Sequence, residues 1–263
     1  MDKLKAVTFS YDDGVEQDKR LIQLLDRYGL KCTFNLNSGF LGAKGSARRT
    51  IFGTTSTVSC NKVPMDEIKQ VYINHEVASH TVNHPTLREL PDDKVLAEVL
   101  EDAVSLEKIT GKKVYGLAYP NGYGLPDPIV YEKLTGIKYV PTEHNKLFLE
   151  NEHRVSDLIR KNTDLYYGRT TKSTYSFDLQ DNLLEFNPTV AHRETEERLE
   201  LAKRFVELET DKPQIYYIWG HSYELDVSEK AWEEFERLCE YLAGRNDIFY
   251  GTNHQVFEYF GLQ

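Results

Sequence analysis

A short β-branched or aromatic run followed by a helix-period stretch recurs along this chain, and that alternation limits its possible folds more than any other feature. "AVTFSY" from Ala6 precedes Leu21, Leu24, Leu25 and Tyr28 on one helical face, closed by Gly29. "KCTFNL" follows as a second strand, and Met65 to Ile73 is a short helix leading into "HEVAS". Asp92 to Ile109 is the clearest helix, with Leu96, Val99, Leu100, Ala103 and Leu106 in period and Gly111 as its stop. "VYGLAY", "IKYV", "QIYYIW" and Ile248 to Tyr250 are further strands. Helices are expected over Asp127 to Leu134, Thr195 to Leu208, Ser228 to Leu242 and Val256 to Phe260. Ser38 to Asn61, rich in Gly, Ser and Thr, is expected to be a long loop. Pro141 to Thr195 is expected to be mostly loop, with one strand near Leu183 to Phe186.

Strand then helix, about seven or eight times over, favours parallel strands with crossover helices. For 263 residues the expected closure is a single-domain α/β barrel spanning residues 1–263. A doubly wound open sheet is the alternative, but no Gly-rich phosphate loop follows any strand. The net charge of -10 argues against nucleic acid or an anionic membrane as partner. Cys32, Cys60 and Cys239 are too few and too scattered for a disulfide framework. The first strand starts too early for a signal peptide to precede it, and no apolar run reaches membrane length, so a cytoplasmic protein is expected.

Side chains able to do chemistry fall just after the expected strands. Asp12 and Asp13 end the first, His80 and His84 follow "HEVAS", Asn121 follows "VYGLAY", and His221 follows "QIYYIW". In a barrel of parallel strands these ends share one rim, where active sites sit. His80 and His84 are one turn apart, and with a carboxylate they suit Zn²⁺ or another divalent transition metal. One of the two aspartates can bind the cation while its neighbour accepts a proton from water. A histidine opposite such a site, His221, is placed as a general acid. "GHSYE" is not a nucleophile elbow, so Ser222 is not expected to attack substrate.

With these residues in place the chain resembles the polysaccharide deacetylases, carbohydrate esterase family four. "TFSYDDG" matches that family's T-F-D-D-G stretch through Tyr11-Asp12-Asp13-Gly14, "HTVNH" its H-[ST]-x-x-H, "AYPNG" part of its R-x-P-[YF], and "YYIWGH" its late histidine. The resemblance implies a distorted (β/α) barrel and metal-dependent removal of an N- or O-acetyl group from a sugar or glycan. It implies Asp12 as base, Asp13, His80 and His84 as metal ligands, Asn121 as an oxyanion-binding backbone N–H, and His221 as acid. Zn²⁺ is the expected metal, with Co²⁺, Ni²⁺ or Mn²⁺ as alternatives.

Two departures stand out. The family's arginine, which pairs with the base aspartate, aligns with Ala118, so Arg154, Arg169 or Arg193 must reach in if Asp12 is to have a cation. No D-x-x-D-W stretch is present to orient His221. "EFNPTVAHRE" occupies that region, with His192 and Arg193 as candidate substrate contacts and His192 expected on a loop or the surface. Tyr123, Tyr166, Tyr167 and Trp219 could flank a sugar or serve as packing. Hydrolysis of a non-sugar C–N amide, a degenerate carbohydrate-binding protein, and a non-haem iron oxygenase using the same two-His, one-Asp set are the competing readings.

Overall fold

The computed structural model describes residues 3–51, 53–125, 132, 136–140 and 149–262. Its frame is a parallel sheet in the order β7-β6-β5-β2-β1-β9-β8, curled into a half-barrel with helices packed outside, as expected for a distorted (β/α) barrel. The strands are β1 (Lys5–Asp12), β2 (Cys32–Leu36), β5 (Glu76–Ser79), β6 (Gly116–Ala118), β7 (Tyr167–Arg169), β8 (Val190–Ala191) and β9 (Gln214–Gly220). β1 lies at the centre and is buried along its whole length. β9 runs beside it from Lys5 to Tyr11. The other edge of β1 carries β10 (Ile248–Tyr250) over Lys5–Val7, then β2 over Phe9–Asp12. Val7, Phe9 and Tyr11 face one side of β1 and join the core, while the buried Thr8 and Ser10 on the other side are met by Asn253 and Asn35.

The helices follow the apolar stripes. In α1 (Asp18–Arg27) the stripe Leu21, Leu24 and Leu25 is buried. α3 (Asp92–Thr110) begins with Asp92 and Asp93 at its positive end and stops at Gly111, whose φ of 73 suits a residue without Cβ. α5 (Thr195–Glu207) buries Leu201 and Phe205, and α6 (Glu229–Leu242) buries Trp232, Phe235, Leu238 and Leu242. Ser228 caps α6 by accepting from the Ala231 N–H, and Thr252 with Gln255 forms a capping box on α7 (Asn253–Tyr259). The short α2 spans Ile68–Val71.

Four expectations need correction. Residues 38–61 are not a featureless loop: β3 (Ser46–Ile51) and β4 (Thr54–Ser59) pair there as an antiparallel hairpin. Its strands are mostly Ser, Thr and Arg and stand largely in solvent, so no apolar alternation betrays them. Ile137 to Val140 is irregular, with Ile137 and Val140 exposed. Leu183 to Glu185 is a 3-10 turn started by Asn182, whose side chain accepts from the Leu184 N–H. The stretch read as loops after Pro141 contains α4 (Arg154–Asn162), β7 and β8. The two strands are three and two residues long, below what periodicity can register. The helix expected over Asp127 to Leu134 lies outside the described residues except for Glu132.

Candidate active site

Asp12 is the last residue of β1, and the chain turns sharply after it. Asp13 sits at φ 82, its N–H donating to the Asn35 carbonyl at 2.9 Å, so the two adjacent carboxylates point to different surroundings. Asp12 is buried, accepting from the Asn35 side chain at 2.8 Å and from Arg169 Nη2 at 2.6 and 2.5 Å. Of the three arginines that could replace the missing one, Arg169 does so. Arg154 binds the carbonyls of Arg88 and Leu90 instead, and Arg193 lies beside Glu224. Arg169 and Ala118 are register partners across β6 and β7, so the cation has moved one strand sideways. Burial pushes the Asp12 carboxyl up, but Arg169 with His80 and His221 outweighs it and holds the group below its ordinary value.

Asp13, His80 and His84 converge so that one ligand atom from each lies within 4.8 Å of the others. His80 leaves the end of β5 and places its Nδ1 2.8 Å from the Ala118 carbonyl. Because a carbonyl only accepts, Nδ1 carries the proton and Nε2 is left with its lone pair. Burial drives the His80 imidazole down to about 4, which keeps it neutral. His84 reaches the cluster through left-handed backbone at both Thr81 (φ 66) and His84 itself (φ 56). Burial would raise the Asp13 carboxyl, yet His221, Lys62 and the two other histidines hold it at about 2. A neutral imidazole with a free Nε2, a second imidazole and an ionised carboxylate form a donor set that fits a divalent transition metal.

His221 follows β9 and closes the opposite side, its Nε2 4.0 Å from Asp13 Oδ2. Behind it stands Glu224, 3.4 Å from His221 Nδ1. The same carboxylate oxygen is 2.8 Å from His192 Nε2, and His192 Nδ1 is 2.9 Å from the Tyr11 hydroxyl. A carboxylate can only accept, so His192 donates through Nε2 and accepts from Tyr11 through Nδ1. Burial would lower the His221 pKa, but Glu224 and the two aspartates raise it above the ordinary value.

The expectation for His192 is therefore corrected: it is fully buried rather than on a loop surface. Gly220 makes room for it, since a Cβ there would come 2.6 Å from the His192 ring. Arg193 remains exposed. Asn121 takes a left-handed turn (φ 58), and its backbone N–H meets no acceptor among the described residues. Trp219 lines the cavity, whereas Tyr167 is buried with its hydroxyl on Glu76 and Tyr166 packs against His254. Tyr123 lines an adjoining cleft with Asn121.

Sequence reasoning missed Glu224, Asn35 and Lys62. "GHSYE" places Glu224 three residues after His221, one turn away, and that spacing was the available signal. Asp18 was missed as well. It is buried beneath the rim, accepting from Ser222 Oγ at 2.5 Å and the Tyr72 hydroxyl at 2.7 Å, and burial pushes its carboxyl up to about 7. The folded state thus binds this proton more tightly than the unfolded chain. The stabilisation is full below the unfolded pKa and is lost as pH rises through about 7, amounting to up to about 4 kcal/mol. Asp18→Asn is expected to remove that decline. Urea unfolding from pH 4 to 8 checks it, and equal slopes in the two proteins would refute it.

The polysaccharide deacetylase family model matches residues 2–140, more than half of the chain. The chain belongs to the polysaccharide deacetylase family. The matched span holds Asp12, Asp13, His80, His84 and Asn121, and His221 lies beyond it. Solved structures agree on the fold. A Mycobacterium smegmatis protein assigned as a polysaccharide deacetylase is 14% identical with a TM-score of 0.64, over 99% of this chain and 91% of that one. A family 4 acetyl xylan esterase from Clostridium thermocellum, in complex with a cobalt ion, is 14% identical with a TM-score of 0.51, over 98% and 93%. This chain spans only 61% of the Streptococcus pyogenes deacetylase PplD, solved with acetate, which is 20% identical with a TM-score of 0.43 over 68% of this chain. No curated protein matches significantly. Among the described residues no helix is long and apolar enough to cross a membrane.

Proposed function

We propose that this family member is a metal-dependent hydrolase that removes an N- or O-acetyl group from a sugar or glycan. The observation that carries the reading is the convergence of Asp13, His80 and His84 beside a buried, arginine-held Asp12, with His221 facing them. A bound Zn²⁺ or similar ion would supply Lewis acidity that makes water nucleophilic near neutral pH and polarises the acetyl carbonyl. Asp13, His80 and His84 hold that ion. Asp12, ionised because of Arg169, takes the proton from the attacking water. The Asn121 N–H donates to the oxyanion as it forms. His221, kept protonated by Glu224, gives a proton to the departing amine or alkoxide.

Arg169 counts against the degenerate, merely sugar-binding reading, because the cation missing at Ala118 is restored from the neighbouring strand. A second, buried carboxylate beside the ligand set favours hydrolysis over oxygenase chemistry, which has no use for a held base. His221→Ala tests the assignment: it should retain metal and lose turnover, with a smaller deficit on activated esters whose leaving groups need no proton. Equal losses on activated and unactivated esters would reject His221 as acid.

A further inference from the structure

The cleft is a cavity of about 910 Å³ whose walls include Asp12, Asp13 and Glu224, yet each of these carboxylates already has a cation or imidazole of its own. Asp12 has Arg169 at 2.5 Å, Asp13 has Lys62 at 3.3 Å, and Glu224 has His192 at 2.8 Å and His221 at 3.4 Å. Two further arginines line the same space. Arg49, on the β3–β4 hairpin, has no carboxylate within ion-pair distance among the described residues. Its guanidinium lies over the Tyr223 ring at 5.4 Å with Nη2 3.4 Å from the Tyr223 hydroxyl. Arg193 keeps a half-exposed head 3.6 Å from Glu224, a carboxylate that the two histidines already share. Four cations, Arg49, Lys62, Arg169 and Arg193, thus meet three carboxylates here, and Arg49 is the one left over.

Both arginines arrive through neighbours of His221. The Tyr223 ring lies 5.1 Å from the His221 ring, and Arg193 lies on Glu224. Trp219, against which Arg193 lies at 6.0 Å, lines the same cavity and keeps a buried indole N–H without an acceptor among the described residues. Guanidinium groups and an unmet N–H donor are complementary to anionic oxygen. Resting on the hydrolase reading, in which His221 marks the leaving-group side, we propose that the departing sugar carries a negatively charged group, a carboxylate or a phosphate ester, bound by Arg49 and Arg193. Arg49 comes from the β3–β4 hairpin, which pairs apart from the parallel sheet whose strand ends carry Asp12, His80 and His221.

The test compares kcat/KM on three acetamido sugar glycosides with one aglycone: neutral at C6, oxidised there to the carboxylate, and phosphorylated there. Wild type should prefer the anionic members by about 10-fold or more, the scale of a charge-assisted hydrogen bond, and the better of the two identifies the group. Arg49→Gln should shrink that ratio towards unity. Should the variant misfold, raising the ionic strength should shrink the ratio in wild type. Absence of a preference, or a ratio indifferent to both Arg49→Gln and salt, overturns the proposal. If none of the three is hydrolysed, the N-deacetylase reading fails on its own. Calorimetry with the free amino sugars then decides the subsite, equal affinity for charged and neutral forms rejecting it.

Discussion

Asp12→Asn is expected to lower turnover by on the order of 10²–10⁴, the usual contribution of a positioned general base, while leaving metal content unchanged. The amide keeps the shape of the side chain and its place beside Arg169, but it cannot accept a proton from water. Arg169→Met should fail differently. It strands a buried carboxylate 2% exposed, and breaking such a pair costs about 3–5 kcal/mol. Where the variant still folds, burial is no longer opposed by the guanidinium, so the Asp12 pKa rises. Activity needs the ionised form, so the acid limb of the pH–rate profile moves to higher pH. Wild type, with Arg169 in place, should keep its acid limb low, and its alkaline limb should follow loss of the His221 proton. Metal analysis with pH–rate profiles of the two variants checks this. Loss of metal in Asp12→Asn, or an unmoved acid limb in Arg169→Met, would remove Asp12 from the role of base.

The double variant His80→Ala/His84→Ala should bind almost no divalent metal and show no turnover. Each imidazole is pre-set for ligation, His80 by its bond to the Ala118 carbonyl and His84 by its left-handed backbone. Asp13→Asn should weaken binding more mildly, because an amide oxygen still donates but loses its Coulomb attraction to the ion. Excess metal should therefore partly restore Asp13→Asn and leave the double histidine variant inactive. Elemental analysis after gel filtration supplies the measurement. Wild-type metal content in the double variant would refute the ligand assignment.

Much of the site was legible because its residues sit at strand ends, and strand ends are where the apolar pattern stops. Asp12, Asp13, His80 and His221 each follow a run that periodicity marks clearly, and parallel strands bring such ends to one rim. Arg169 could be named only as one of three candidates, since its strand is three residues long and contains a glycine. The pairing of Glu224 with His192 escaped because it is long-range: thirty-two residues separate them, and nothing local announces that Gly220 opens a buried slot for an imidazole. The β3–β4 hairpin was missed because each of its largely solvent-facing strands sends one apolar residue into the core, Ile51 and Val58, too few to make a period.

Of the described non-glycine residues with left-handed backbone, Asp13, Thr81, His84 and Asn121 lie in or beside the rim of the cleft, and Tyr175 lies elsewhere. Each of the four is held where glycine would rest more easily, at a cost of about 1 kcal/mol or more apiece. A lineage drifting under selection for folding alone would therefore find easy stabilising changes here, and glycine at Asp13 or His84 would take a candidate ligand with it. In such a lineage the chemistry would disappear before the barrel did. Stability alone would relax these backbone angles, so folding and the proposed chemistry pull in opposite directions at this rim.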